Sequence, residues 1–164
     1  MDEQPFHSLL SHALQPAPGV GRWYGGATLL GALRGVGAEL AAWTPAGLRN
    51  SIWRLALHCA YWEWYVARKF EESRSRERFP RQGYSWPELP DVIDDKTWSA
   101  DRALVCAADG WDPRRLGEKA TEHMTYADFL LGAAMHNAHH TAQIQVLKRL
   151  WDGTHQAEAE VNQG

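Results

Sequence analysis

The sequence predicts an all-α protein that folds as a four-helix bundle with a short extra helix at its N-terminus. Apolar residues recur at helical spacing in four long stretches of the chain. Runs of alternating β-branched residues, which would indicate strands, are missing from the sequence. The length of 164 residues is that of one ordinary domain. We therefore expect residues 1–164 to form a single bundle domain, with its core at about 22–151.

The composition and the charge argue against several classes of function. Apolar residues make up 45% of the chain and charged residues 23%, as in ordinary globular proteins. The net charge of −3 disfavours general binding to nucleic acid or to an anionic membrane, because both need a concentrated positive field. No apolar stretch approaches the roughly 20 residues of a membrane span. The acidic N-terminus does not resemble a signal peptide, and two cysteines make no disulfide framework, so we expect a cytoplasmic protein.

The first predicted helix is short and amphipathic, between Gln4 and Gln15. Its apolar side chains share one face: Phe6, Leu9, Leu10 and Ala13. The second predicted helix covers about 22–43, where leucine and valine recur at helical spacing. Five glycines interrupt this stretch, and each costs about 1 kcal/mol relative to alanine in a helix interior.

The third predicted helix, at about 51–72, is apolar nearly all round. A connection at 44–47 precedes it, and Asn50 or Ser51 can cap it. One apolar stripe consists of Ile52, Leu55, Cys59, Trp62, Val66 and Phe70. The other consists of Trp53, Leu57, Ala60, Tyr61 and Trp64. A helix that is apolar on all sides is normally covered on all sides, so it either lies centrally or turns its second stripe to another subunit. The second possibility predicts a homodimer.

The remaining elements are a long loop and two helices. The stretch 73–91 is polar and contains prolines, which predicts a surface loop. A helix is then expected at about 94–108. The last helix is predicted at about 125–151, because a Thr-x-x-Asp pattern resembling a capping box begins it. Gly153 is expected to end that helix, and residues 152–164 to form a tail.

A group of histidines carries the functional prediction. His136 and His140 are one turn apart on the last helix, at the border and near the centre of its apolar stripe, so their rings project in parallel. His58 borders the main apolar stripe of the third helix. A site built across these two packed helices would bring together His58, His136 and His140. Three neutral imidazoles suit a divalent transition metal, and three protein ligands leave an open position for water or substrate.

Hydrogen-bonded core histidines are the alternative to a metal site. Without a metal, two imidazoles on a core stripe need partners for four ring nitrogens, and Asn137 is the other polar group there, which favours the metal. Asn137 also stands where H-E-x-x-H zinc peptidases carry their general base, and because an amide cannot accept that proton the peptidase mechanism is disfavoured. Asn137 and Gln143 are candidates for orienting a ligand or a substrate.

Three segments make the sequence resemble the DinB/YfiT family of metal-dependent four-helix-bundle proteins. They are GALRGV at 31–36, NSIW at 50–53 running into HCAYW at 58–62, and HNAHHTAQI at 136–144. The likeness spans about 23–151. It implies that His58, His136 and His140 hold a divalent ion, commonly zinc or nickel. It also implies an up-up-down-down bundle and, frequently, a homodimer.

The resemblance also implies a range of activities. This chain differs from many relatives at two positions. Some relatives are transferases or isomerases that present a low-molecular-weight thiol to the metal. Many relatives have an acidic residue where this chain has Asn137, and many have tyrosine at the position of His139. The first difference removes a candidate carboxylate base, so no catalytic residue is assigned.

Three functions follow as hypotheses. The leading one is a metal-dependent hydrolase or thiol-dependent transferase that acts on a small molecule. The alternative is a non-catalytic binding or scaffold bundle with a structural or adventitious metal site. A third is a sequestering protein that holds a small apolar molecule in an aromatic pocket. The residues that could line this pocket are Tyr24, Tyr61, Trp62 and Tyr65. The alternative for each is an ordinary place in the aromatic core or on a dimer surface.

Overall fold

The computed structural model describes residues 8–9, 27–71, 76–105 and 112–161, with the backbone alone for 113 and 156–161. Within these ranges the chain is helical and forms no strand, which confirms the all-α fold class. The helices are α1 (Leu29–Ala32), α2 (Ala38–Ala42), α3 (Ile52–Phe70), α4 (Asp95–Leu104) and α5 (Tyr126–Val161). A 3-10 turn spans Pro113–Arg115. In this part of the chain, no helix has both the length and the apolar character needed to cross a bilayer.

The prediction of one continuous helix at about 22–43 is wrong in the part of the chain that the structure describes. Two short helices, α1 and α2, replace it there. Gly35 lies between them with φ +73°, a left-handed conformation that glycine adopts without strain. The Asp95 carboxylate accepts a hydrogen bond from the Ala38 N–H at 2.8 Å, so the start of α2 is tied to α4. The predicted helix at 4–15 lies outside the described residues, apart from 8–9, which are helical.

Helix α3 forms where the apolar pattern predicts it and lies at the centre of the fold. Ser51 is its cap, since the Oγ accepts a hydrogen bond from the Arg54 N–H at 3.2 Å. On the second stripe Trp53, Leu57 and Ala60 are fully buried by this chain itself. Tyr61 and Trp64, the other two residues of that stripe, remain partly exposed, and the homodimer stays a prediction.

The loop and α4 match the prediction closely in their described parts. Residues 76–94 form no helix or strand. The Asp94 carboxylate caps α4 by accepting a hydrogen bond from the Thr97 N–H at 2.7 Å. Helix α4 ends at Leu104, earlier than predicted. The Trp98 indole donates to the Val36 carbonyl at 2.7 Å and so attaches α4 to the segment between α1 and α2.

Helix α5 begins as predicted but continues further. The Thr125 N–H donates to the Asp128 carboxylate at 2.7 Å, and the Asp128 N–H donates to the Thr125 hydroxyl at 3.2 Å, which is the expected capping box. Gly153 does not end the helix, and the predicted tail is helical as far as Val161. One interior glycine costs only about 1 kcal/mol, which the contacts around it can offset. The His155 ring, for example, stacks on Trp151 at 3.6 Å.

The histidines lie between two apolar clusters along the α3–α5 contact. One cluster includes Leu57 on α3 and Ile144 on α5. The other includes Val66 on α3 and Ala134 on α5. His58, His136 and His140 fall between these positions in the sequence of their helices. The two clusters hold the helices together on both sides of the site, so the backbone that carries the three rings is fixed by packing.

Candidate metal centre

The structure brings the three predicted histidines together. The Nε2 atoms of His58 and His136 are 3.0 Å apart, and those of His136 and His140 are 3.1 Å apart. One ring nitrogen from each of the three lies within 4.8 Å of the others. Three nitrogens bound to one tetrahedral zinc ion at about 2.0–2.1 Å lie about 3.3 Å from each other. The spacing of the rings therefore fits a single ion.

Hydrogen bonds fix the orientation of two of the rings. The Nδ1 of His58 donates to the Ser85 carbonyl oxygen. The Nδ1 of His140 donates to the Gln143 side-chain oxygen at 2.7 Å. A proton on Nδ1 leaves the Nε2 lone pair free, and in both residues that lone pair faces the other rings. Gln143, a candidate orienting residue in the sequence, thus lies where it can orient the ring of His140.

The electrostatics of the cluster keep the imidazoles neutral. Burial lowers the pKa of His58 and of His140 below the usual histidine value. Burial, followed by repulsion from protonated His140 and His58, lowers the pKa of His136 to about 4. A histidine coordinates a metal only through a neutral ring, so the donor set has the required protonation state at neutral pH.

Two aromatic residues cover the rings of the cluster. Trp86 stacks on His58 with 3.8 Å between ring centroids and 6° between planes. Trp62 meets the rings of His58 and His136 edge-on, at 6.4 and 6.2 Å. Of the other aromatic candidates, Tyr61 packs on Phe79 at 5.5 Å, and Tyr65 packs 6.4 Å from Phe129. Tyr24 lies outside the described residues.

Two loop residues at the site were not predicted from the sequence. Ser85 and Trp86 belong to the predicted surface loop, and nothing in their local sequence indicates which histidine they meet. The only available signal is the concentration of aromatic residues in an otherwise polar segment. Their placement depends on how the loop folds back over α3, which is a tertiary property.

The structure also places a buried carboxyl beside the cluster. Glu63, on α3, is 2% exposed, and Asn137 is 5% exposed. The Asn137 amide donates to Glu63 Oε1 at 2.5 Å. Burial raises the pKa of Glu63 to about 8, although the bond from Asn137 acts in the opposite direction. Glu63 was not predicted as a site residue, and the one sign of it in the sequence is an acidic residue within a helix that is otherwise apolar nearly all round.

The neighbouring Cys59 is not positioned as a ligand. It is a free, fully buried thiol, as the sequence predicts for a core residue. Burial, with a smaller contribution from Glu63, raises its pKa well above the usual thiol value, so it remains protonated. Cys106, the other cysteine of the chain, lies outside the described residues.

A mainly apolar groove of about 430 Å³ adjoins the outer side of the cluster. Its lining residues are Leu48, Arg49, Asn50, Leu55, His139, Ala142, Gln143, Val146 and Leu147. His139 faces this groove and lies 3.3 Å from the Gln143 amide nitrogen. His139, the second histidine of the H-N-A-H-H run, is therefore not part of the cluster, although its ring centroid lies 4.9 Å from that of His140.

Comparison with known proteins agrees with this site. A family model of the DinB superfamily matches residues 25–144, which cover most of the chain and include all three clustered histidines. The chain therefore belongs to the DinB superfamily, as the three sequence segments indicated. No curated protein and no solved structure gives a significant match.

Proposed function

We propose that the protein binds one divalent transition metal ion through the Nε2 atoms of His58, His136 and His140, and uses it to act on a small molecule. The observation that carries the proposal is the convergence of three neutral rings, two of which are already oriented by bonds at Nδ1. Zinc and nickel are the metals that the family resemblance favours.

The reaction that fits this donor set is hydrolysis or transfer of a thiol to an electrophile. When bound, the metal ion would supply a Lewis acid that lowers the pKa of a water or thiol at its open position. His58 and His140 would be held in place by Ser85 and Gln143. Trp62 and Trp86 would shield the rings from bulk water, which strengthens electrostatic interactions at the site.

Three further parts of the proposal rest on family resemblance and composition. We propose the up-up-down-down four-helix topology, a homodimer and a cytoplasmic location. Leu131 and Met135 are exposed on α5 and offer an apolar surface to a second copy. Light scattering at micromolar concentration tests the dimer, and a monomeric mass contradicts it.

The metal content of the purified protein tests the central claim. We expect about one transition metal ion per chain after purification without added metal, measured by elemental analysis. His140→Ala should lower this content several-fold. His139→Ala is the matched control, because His139 is the adjacent residue but faces the groove, and it should leave the metal content unchanged. Sub-stoichiometric metal in the wild type, unaltered in His140→Ala, would favour the non-catalytic bundle.

Turnover assays separate an enzyme from a sequestering protein. The metal-loaded protein is incubated with low-molecular-weight thiols together with electrophiles, and in parallel with hydrolysable esters and amides. Product formation that requires His140 supports the proposal. Saturable binding of a small apolar molecule without product, in a protein that retains its metal, supports sequestration.

A further inference from the structure

Glu63 and Asn137 form a buried polar pair that the metal ligands alone do not explain. Both side chains are almost completely buried, and they come from different helices, α3 and α5. The Asn137 amide donates a hydrogen bond to Glu63 Oε1. Removing a carboxyl and an amide from water is costly unless their polar atoms are paired.

Polar atoms around this pair remain unpaired. Among the described residues, Glu63 Oε2, Asn137 Oδ1 and His136 Nδ1 are buried and have no hydrogen-bond partner. Oδ1 is an acceptor, and Nδ1 is a donor once Nε2 of the same ring binds a cation. The two atoms belong to consecutive residues. His136 is also the one member of the triad whose outward nitrogen has no partner, since Nδ1 of His58 and of His140 are both bonded.

A metal-binding histidine almost always donates its other N–H to a carboxylate, a carbonyl or water. Two buried acceptor oxygens have no partner among the described residues, Glu63 Oε2 and Asn137 Oδ1, and the second belongs to the residue next to His136 in the chain. His136 Nδ1 and Asn137 Oδ1 are thus a buried donor and a buried acceptor that one bond between them would satisfy together.

We propose that Asn137 and Glu63 position His136 for metal binding, so that His136 Nδ1–H donates to Asn137 Oδ1 while the Asn137 amide donates to Glu63. This inference rests on the proposed metal site. Glu63 is a positioning residue that acts through Asn137. Its carboxyl holds the amide nitrogen, and this directs the amide oxygen away from Glu63 and toward the ligand. Helix α3 thus supplies one ligand and the anchor for another.

The hydrogen bonds from Glu63 through Asn137 to His136 form what we call the relay. Zinc affinity, measured by competition with a chromophoric chelator, tests it. Asn137→Leu removes both bonds, and Glu63→Leu removes the anchor. Each should weaken zinc binding by about 10- to 100-fold, the range found when such outer partners are lost. Glu63→Gln keeps an acceptor for the amide and should stay within about threefold of the wild type. Thr141→Val is the matched control, because Thr141 is also buried on α5 beside a ligand, and it should not change the affinity.

A double variant distinguishes positioning from general damage to the core. Asn137→Asp alone places two carboxyls against each other and should weaken zinc binding. Combining it with Glu63→Gln moves the carboxyl from α3 to α5 and restores a donor–acceptor pair, so affinity should recover toward the wild-type value. This double variant also decides the matter if Asn137→Leu fails to fold, as judged by circular dichroism.

Spectroscopy gives a readout that does not depend on activity. Zinc binding to the wild type should produce a slowly exchanging imidazole N–H signal from His136, visible by NMR. Asn137→Leu should lose that signal and Thr141→Val should keep it. Equal zinc affinity in Asn137→Leu and Thr141→Val would overturn the relay alone, as would a double variant no better than Asn137→Asp. A wild type that holds no zinc overturns the proposed function and the relay together.

Discussion

The ring of His58 and the indole of Trp86 lie parallel and in contact, with centroids 3.8 Å apart. His58 is carried by α3, whereas Trp86 comes from the loop that precedes α4. The residue before Trp86 supplies the carbonyl that accepts the proton of His58 Nδ1. Two consecutive loop residues therefore fix both the plane and the tautomer of one proposed ligand.

Replacing Trp86 by alanine should weaken metal binding without unfolding the protein. The stacked ring restrains His58, and aromatic contacts of this kind are worth about 0.5–1.5 kcal/mol beyond the area they bury, which corresponds to roughly 2- to 10-fold in affinity. Zinc competition measures the change. Tyr84→Ala is the control, since Tyr84 belongs to the same loop but is 85% exposed. An equal loss of zinc affinity in both variants would show that any change in the loop weakens binding, and not the loss of the stacked ring in particular.

The contribution of His136 to the free energy of unfolding of the metal-free protein should rise with pH between about 4 and 6.5. Burial lowers the pKa of His136 to about 4, whereas histidines of the unfolded chain titrate near 6.5. The unfolded state therefore binds more protons in this window, and stability increases as they are released. Urea unfolding at several pH values measures the slope. His136→Gln should reduce it, and an unchanged slope in that variant contradicts the assignment.

Glu63 should contribute a pH dependence of the opposite sign. Its pKa is raised from 4.5 to about 8 in the folded protein, so its favourable contribution is complete below 4.5 and is lost as the pH rises through about 8. Glu63→Gln has no carboxyl to ionise, so it does not lose this stability as the pH rises. Between pH 5 and pH 8 the variant should gain stability relative to the wild type, on the order of 3 kcal/mol. A difference that is the same at both pH values would show that this carboxyl titrates normally.

Arg81 should support the site from a distance. Its guanidinium binds the buried Asp101 carboxylate at 2.8 and 2.9 Å, and this pair attaches the loop to α4. Arg81→Gln should destabilise the protein by about 1–3 kcal/mol, because it leaves a buried carboxylate with a weaker partner. It should also weaken zinc binding, since Ser85 and Trp86 follow shortly after. Arg78→Gln, at an exposed position in the same loop, should do neither.

Two glycine substitutions test the course of the backbone. Gly153→Ala should stabilise the protein by about 0.5–1 kcal/mol, because Gly153 lies inside α5 and nothing stands within 4 Å of an added Cβ. Gly35→Ala should destabilise it, since Gly35 has φ +73°. Thermal unfolding measures both. Destabilisation by Gly153→Ala would indicate that α5 ends near that residue after all.

The histidine triad could be predicted because it depends on local geometry. His136 and His140 are one helical turn apart, and α3 carries a single histidine that can meet them. The break between α1 and α2 was signalled only by glycines, whose propensity cost does not say where a helix ends. Gly153 led to the opposite error, since the last helix was predicted to end there and it continues. One glycine in a helix interior has only a modest cost, which the contacts of a long helix can offset.

The other residues around the site could not be predicted for two reasons. Glu63 contradicts the general tendency of carboxyls to remain in solvent, so composition places it on the surface. Ser85 and Trp86 depend on the path of a loop, which has no periodicity to analyse. In both cases the deciding contacts join residues far apart in the sequence.

The loop between Arg81 and Trp86 has one further consequence. Its two ends are held by Asp101 and His58, and a tight turn lies between them, with Gly83 at φ +101° and a backbone bond from the Trp86 N–H to the Gly83 carbonyl at 3.1 Å. Surface loops usually tolerate insertions and deletions. Here a change of a single residue would pull the Ser85 carbonyl or the indole out of register with His58. Length variation compatible with an intact site is therefore confined to the chain before Arg81 and after Trp86.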